Sequence, residues 1–278
     1  MKYSSRFFLY APVGVFLLLL AAAGIHWWIA ASRLATWLDA HNGREIMPGV
    51  TMRFDARSIT GFPFSLDTEF ENVSFTVATP LGPTQWRSEH FAMHGLTYGR
   101  DETIFEAAGR QFLRWTRPDR TMRALEFAVA SLRASAIDKN GGLERFDLDL
   151  VGFGSKAFTA QRLQIHLRRN GADKLDLYLL SSGLRSAAGS CPRLDYLASG
   201  ELEGSADRAE AFSPLLSAKQ DWNGAVADWR KRGGRFRNAR ATAGSRPADT
   251  AFQAGLAAIP ADRLFAVGAV ADAICGSY

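Results

Sequence analysis

The chain has 278 residues, 47% of them apolar and 22% charged, with a net charge of +5 and an isoelectric point near 9.4. This composition excludes a disordered chain and leaves material for one large or two small domains with a core. The positive excess is not drawn into the concentrated stripe that nucleic acid requires, so no nucleic-acid partner is expected; it suits a surface beside anionic headgroups and equally an ordinary basic exported domain.

Residues 1–6, with Lys2 and Arg6, are expected to form a short cytoplasmic tail. Residues 7–31, Phe7 to Ala31, then run without a formal charge as far as Arg33. At 1.5 Å rise per residue such a run spans about 37 Å, enough to cross a hydrocarbon core of about 30 Å with some tilt. The basic flank predicts a cytoplasmic N-terminus, so the expectation is a single-pass inner-membrane protein whose remaining residues are periplasmic. Trp27 and Trp28 fall at the distal end, where amphipathic rings favour the headgroup level. A cleaved signal peptide is the other reading, because Ala21-Ala22-Ala23 offers the small residues that signal peptidase accepts. Against it stand the length of the apolar run and the tryptophan pair beyond the cut.

Residues 32–48 read as an amphipathic linker helix. Leu34, Trp37 and Leu38 share one face, and Gly43 and Pro48 stop the pattern. Residues 49–278 make up the extracytoplasmic domain, where the period changes to two. Val50, Met52 and Phe54 alternate with polar residues; after Gly61-Phe62-Pro63 so do Phe64, Leu66 and Phe70, then Val73, Phe75 and Val77. Similar strands are expected over 86–98, 121–137, 143–151, 157–168 and 174–180. The turns between them are rich in Gly, Pro and Asn, as at Asn140-Gly141-Gly142 and Asn170-Gly171. Short turns between successive strands indicate an antiparallel meander. Helical spacing returns near 207–232 and in 261–274, entered through Pro260, while 233–243 and 250–256 read as a small hairpin or as a strand and a helix.

No residues nominate a catalytic site, and the chain is not expected to be an enzyme or to carry a cofactor. His90 and His94 are four apart, but in a strand that separation is about 13 Å, too far to chelate one ion, so no metal is expected. Gly152 to Ser155 lacks the nucleophile elbow, and Asp147 with Asp149 reads as the solvated face of a strand. Cys191 and Cys275 would pair in an oxidising compartment, closing a loop of about 84 residues at a gain of about 4 kcal/mol; two unrelated thiols are the alternative. The basic run from Arg230 through Arg240 would lie against anionic headgroups or form a solvated helix end.

The N-terminal span with its basic flank, the turn Gly61-Phe62-Pro63-Phe64 feeding an alternating strand, and the strand from Trp86 to Leu96-Thr97-Tyr98 together resemble an uncharacterised family of proteobacterial envelope proteins, domain of unknown function 2125. That family is similar at the fold level to AsmA-like proteins, whose anchor helix carries a curved sheet with an apolar face implicated in phospholipid handling. The resemblance implies an α+β fold: a transmembrane helix, then a curved, mostly antiparallel β-sheet with C-terminal helices packed on it. It also implies that Phe54, Phe64, Leu66, Phe70, Phe75 and Val77 line a groove for acyl chains. The other reading has those residues packed against the helices after Ala206. Two functions follow: a module that binds or conducts phospholipid, or a non-catalytic scaffold that binds envelope proteins.

Overall fold

The computed structural model describes residues 5–79, 82–97, 102–116, 119–139, 142–156, 158–171, 173–186, 199–212, 222–243 and 246–247. Helix α1, Ser5–His41, opens the fold as one continuous helix. It is long and apolar enough to cross a membrane: the mean hydropathy of its most apolar window is 2.0, and none of that window is buried against the rest of the chain. The helix stops at His41. Residues Arg44–Met47, inside the stretch expected to complete a linker helix, form strand β1 instead. Gly43 turns the chain at a φ of 76° and its N–H donates to the Met52 carbonyl, which commits the chain to sheet pairing.

Thirteen further strands follow: β2 Val50–Arg53, β3 Ala56–Thr60, β4 Ser65–Val77, β5 Thr84–Leu96, β6 Glu102–Thr116, β7 Met122–Lys139, β8 Gly142–Ser155, β9 Phe158–Asn170, β10 Lys174–Ser182, β11 Arg185–Ser186, β12 Ser199–Asp207, β13 Phe236–Ala243 and β14 Arg246–Pro247. They form one 14-stranded, wholly antiparallel sheet in the order β1-β2-β4-β5-β6-β7-β8-β9-β10-β12-β13-β14, with β3 also beside β4 and β11 beside β9. The sheet is curved and unclosed. The meander and the strands expected from alternation are present. Strands β6 and β12 are additional: Ala107-Ala108-Gly109 interrupts the alternation of β6 at its centre, and β12 is rich in Gly and acids, which are depleted in strands.

The region expected to be helical near 207–232 is divided. Asp207 ends β12, Ala209–Phe212 is a 3-10 turn, and α2 spans Trp222–Lys231. Ala211, Phe212, Ala225 and Trp229 bury themselves against Ala206 at the end of β12, with Leu175 and Phe236 alongside, and Trp229 Nε1 donates to the Asp207 carbonyl at 2.7 Å. The helix expected over 261–274, the segment 250–256, Cys191 and Cys275 lie outside the described residues.

The main core forms where the second half of α1 lies on the sheet. Leu38 is 2% exposed and packs with Met52, Phe54, Phe70, Val73, Phe91 and Ala107. Arg57 of β3 fastens the helix from the same face, donating to both carboxylate oxygens of Asp39 at 2.9 and 2.6 Å and to the Ala35 carbonyl at 3.2 Å. That hydrogen bond and the guanidinium charge hold the Asp39 carboxyl below its usual value. Between β2 and β3 the Asn42 amide takes the place of a strand partner, accepting from Phe54 N and donating to Phe54 O, both at 3.0 Å.

A straight seam of irregularities crosses the sheet. Asn72, Gly109, Gly152 and Gly183 have φ values of 52°, 76°, 65° and 60°, on alternate strands β4, β6 and β8 and at the end of β10. Register shifts interrupt β5 and β6 on the same line. At Gly152 a Cβ would sit 2.9 Å from the Ala130 Cβ, and at Gly183 it would meet the Gln161 side chain, so both positions need glycine. Core residues change phase across the seam: Phe70 with Val73, Leu132 with Val129, Leu150 with Phe153 and Leu163 with Ala160 are three apart, yet each pair packs on one face.

Candidate functional site

Paired residues in an antiparallel sheet share a face, so the register defines rows of neighbouring side chains. One row runs Met93, Phe105, Ala134, Leu148, Ile165, Leu179 and Leu202 across β5 to β12. Its neighbour runs Gly95, Thr103, Ala136, Phe146, Leu167, Leu177 and Gly204. At about 4.8 Å per strand, seven strands carry these rows over about 29 Å without a charged side chain. Ala134 is buried, while Leu148, Ile165, Leu167, Leu177, Leu179 and Leu202 are only half-buried. This is the same face on which α1 lies, but helix and cluster reach only from β1 to β7.

The opposite face is chiefly polar and laced with charge pairs. Asp67 and His94 Nδ1 are 2.8 Å apart, and Arg133 donates to Glu106 at 2.7 Å. Arg162 engages both oxygens of Asp149 at 2.8 and 2.7 Å, while Asp147 bonds His166 Nδ1 at 2.6 Å and pairs with Arg145. Partial burial would push the Asp67 and Asp147 carboxyls up, but hydrogen bonds outweigh it, from His94 and Ser65 on Asp67 and from His166 and Arg145 on Asp147. Both titrate below the usual value. The Arg162 hydrogen bond lowers Asp149 and in turn raises Arg162. A depression of about 580 Å³ on this face lies over Ala92, Ala108 and Ala130 and is bounded by Glu69, Glu71, His90 and Glu106. Its carboxylates would repel a phosphate.

The structure distributes the six residues of the expected groove. Phe54 and Phe70 are buried in the core under α1, with rings 5.2 Å apart edge to face, and Phe75 is stacked on Trp86 at 5.7 Å. Leu66 and Val77 are half-buried in β4, and Phe64 sits exposed in the turn before it. The apolar surface that α1 leaves uncovered lies further along, on β8 to β12. Its signal in the sequence is the alternation Leu148/Leu150, Leu163/Ile165/Leu167 and Leu175/Leu177/Leu179. His90 and His94 both lie on the polar face of β5, opposite Glu71 and Asp67. Among the described residues no group of three His, Cys, Asp or Glu side chains is placed to hold a metal ion.

Residues 27–264 match the family described as an uncharacterized protein conserved in bacteria, domain of unknown function 2125. No curated protein and no solved structure matches the chain.

Proposed function

The chain belongs to the bacterial family of domain of unknown function 2125, and from that premise we propose that it is a membrane-anchored, non-catalytic module that binds phospholipid acyl chains on its apolar sheet face. In this reading α1 stays in the inner membrane with its N-terminus in the cytoplasm, and the sheet stands in the periplasm. Kinship with AsmA-like proteins is part of the proposal, resting on the anchor helix and the one-sided sheet. The observation that carries it is the uncharged surface of half-buried Leu and Ile side chains over β8 to β12. Acyl chains are the occupant whose chemistry matches: they offer methylenes and need no hydrogen bonds, and the surface supplies neither donors nor charge. The rows also begin at the end of the sheet nearest Gly24 and Trp27 of α1, where lipid is at hand if the helix spans.

The test is native mass spectrometry of the full-length protein extracted in mild detergent. Phospholipid should co-purify, and Ile165→Asp, which places a charge in the first row between Leu148 and Leu179, should lose it while keeping the strand signal in circular dichroism. A lipid-free protein would overturn the reading and leave the scaffold of an envelope complex as the alternative.

A further inference from the structure

We infer that the turn Gly61–Ser65 and the end of β5 form a second membrane contact, a lipid-inserting tip beside the helix. The inference rests on the reading of α1 as a span. About 20 residues cross a hydrocarbon core, so a span counted from Arg6 ends near Trp27. At that level the sheet touches the helix. The Phe62 ring lies 3.4 Å from where a Cβ on Gly24 would stand, and it meets Trp27 edge to face at 5.7 Å. Trp27 Nε1 donates to the Ser65 carbonyl at 2.7 Å, and His26 Nε2 lies 3.3 Å from the Thr97 carbonyl oxygen. The turn is therefore held six to nine residues of helix before Arg33, inside the uncharged run.

The chemistry of the tip suits that depth. Phe62 is 56% exposed, Phe64 57% and Leu96 45%, and no residue of 61–66 or 95–97 is charged. Isolated apolar residues on a surface are ordinary, but two phenyl rings and a leucine grouped beside an apolar helix mark an interaction surface. Part of the backbone at the tip is already paired within the protein. Phe64 N and Ser65 N donate to the Gly61 carbonyl at 3.2 and 2.8 Å, and Thr97 N and its hydroxyl donate to the Phe64 carbonyl at 3.1 and 3.0 Å. Polar groups paired internally are the condition for entering hydrocarbon. The partner is the bilayer that holds α1, and the contact fixes the sheet upright with its apolar rows opening at the lipid boundary.

The experiment uses the full-length chain reconstituted in phosphatidylethanolamine and phosphatidylglycerol vesicles, with the photo-crosslinker p-benzoylphenylalanine placed singly at Phe64, Leu96, Leu18 or Met122. Leu18 reports the span. Met122, 55% exposed and apolar but at the opposite end of the sheet, reports background. Lipid adducts at Phe64 and Leu96 should match Leu18 and exceed Met122 by about tenfold, a ratio within reach of burying one large apolar side chain. Adducts at Leu18 with Phe64 and Leu96 at the Met122 level would overturn the tip and leave the span standing. Labelling of Met122 as strong as that of Phe64 would equally overturn it. No adduct at Leu18 would remove the span and the tip with it. Phe64 and Leu96 lie on separate elements, so a folding defect in one variant leaves the other to decide.

Discussion

Single side chains on the polar face do measurable work because each partly buried carboxylate faces a donor. Asp147 accepts from His166 and pairs with Arg145, and its carboxyl titrates below the usual carboxylate value. A carboxyl with a lowered folded value stabilises the protein above its unfolded value and loses that contribution as pH falls through the folded one. Asp147→Asn should therefore cost about 1 kcal/mol at neutral pH, as expected for a partly exposed pair. The deficit should shrink in acid, read as the difference between urea-unfolding midpoints at neutral pH and below the folded value. A deficit that grew on acidification would contradict the assignment. At this scale the sequence was only partly legible. Asp147 and Asp149 read as the solvated face of a strand, which they occupy, but their partners His166 and Arg162 are more than a dozen residues away, and only register brings His166 opposite Asp147 and Arg162 diagonal to Asp149.

At the scale of the element, alternation made most strands legible and the bulges hid the rest. Strand β6 carries Ala107-Ala108-Gly109 where its register slips, so the sequence there loses its period although hydrogen bonding continues to Thr116. The same devices give an element-scale prediction. Gly152 has a φ of 65° and a neighbouring Cβ at 2.9 Å, whereas Gly154 has ordinary backbone geometry and open space. Gly152→Val should cost about 1–3 kcal/mol in strain alone, and Gly154→Ala should leave the urea midpoint nearly unchanged. Equal losses at both sites would remove the seam's special status.

For the whole molecule, one helix serves two environments. Its first half is exposed and apolar all round, and its second half is the lid of the main core. Leu38→Ala should destabilise the sheet by about 2–5 kcal/mol through the cavity it leaves, while Leu18→Ala should not shift the unfolding of the sheet, both measured by urea titration in detergent. A loss at Leu18 as large as at Leu38 would mean that the apolar half is bound to the protein. The helix, the antiparallel meander and its greasy face were legible in the sequence from composition and period. Which strands the helix covers was not, because Leu34 and Leu38 carry no mark of their destination. Phe54, Phe70 and Phe75 lie beneath or beside the lid, and the apolar surface that α1 does not cover lies on β8 to β12.

The seam through Asn72, Gly109, Gly152 and Gly183 carries a consequence for how such a chain can change over generations. Neighbouring strands change the parity of their core-facing positions at one common line while keeping one greasy face, so they are locked in step. Losing a single residue there would restore perfect alternation within its own strand but leave everything beyond the line one residue out of register with both neighbours. Lengthening or shortening must therefore happen at the hairpin ends, and the line itself can be altered only by matched changes in several strands at once.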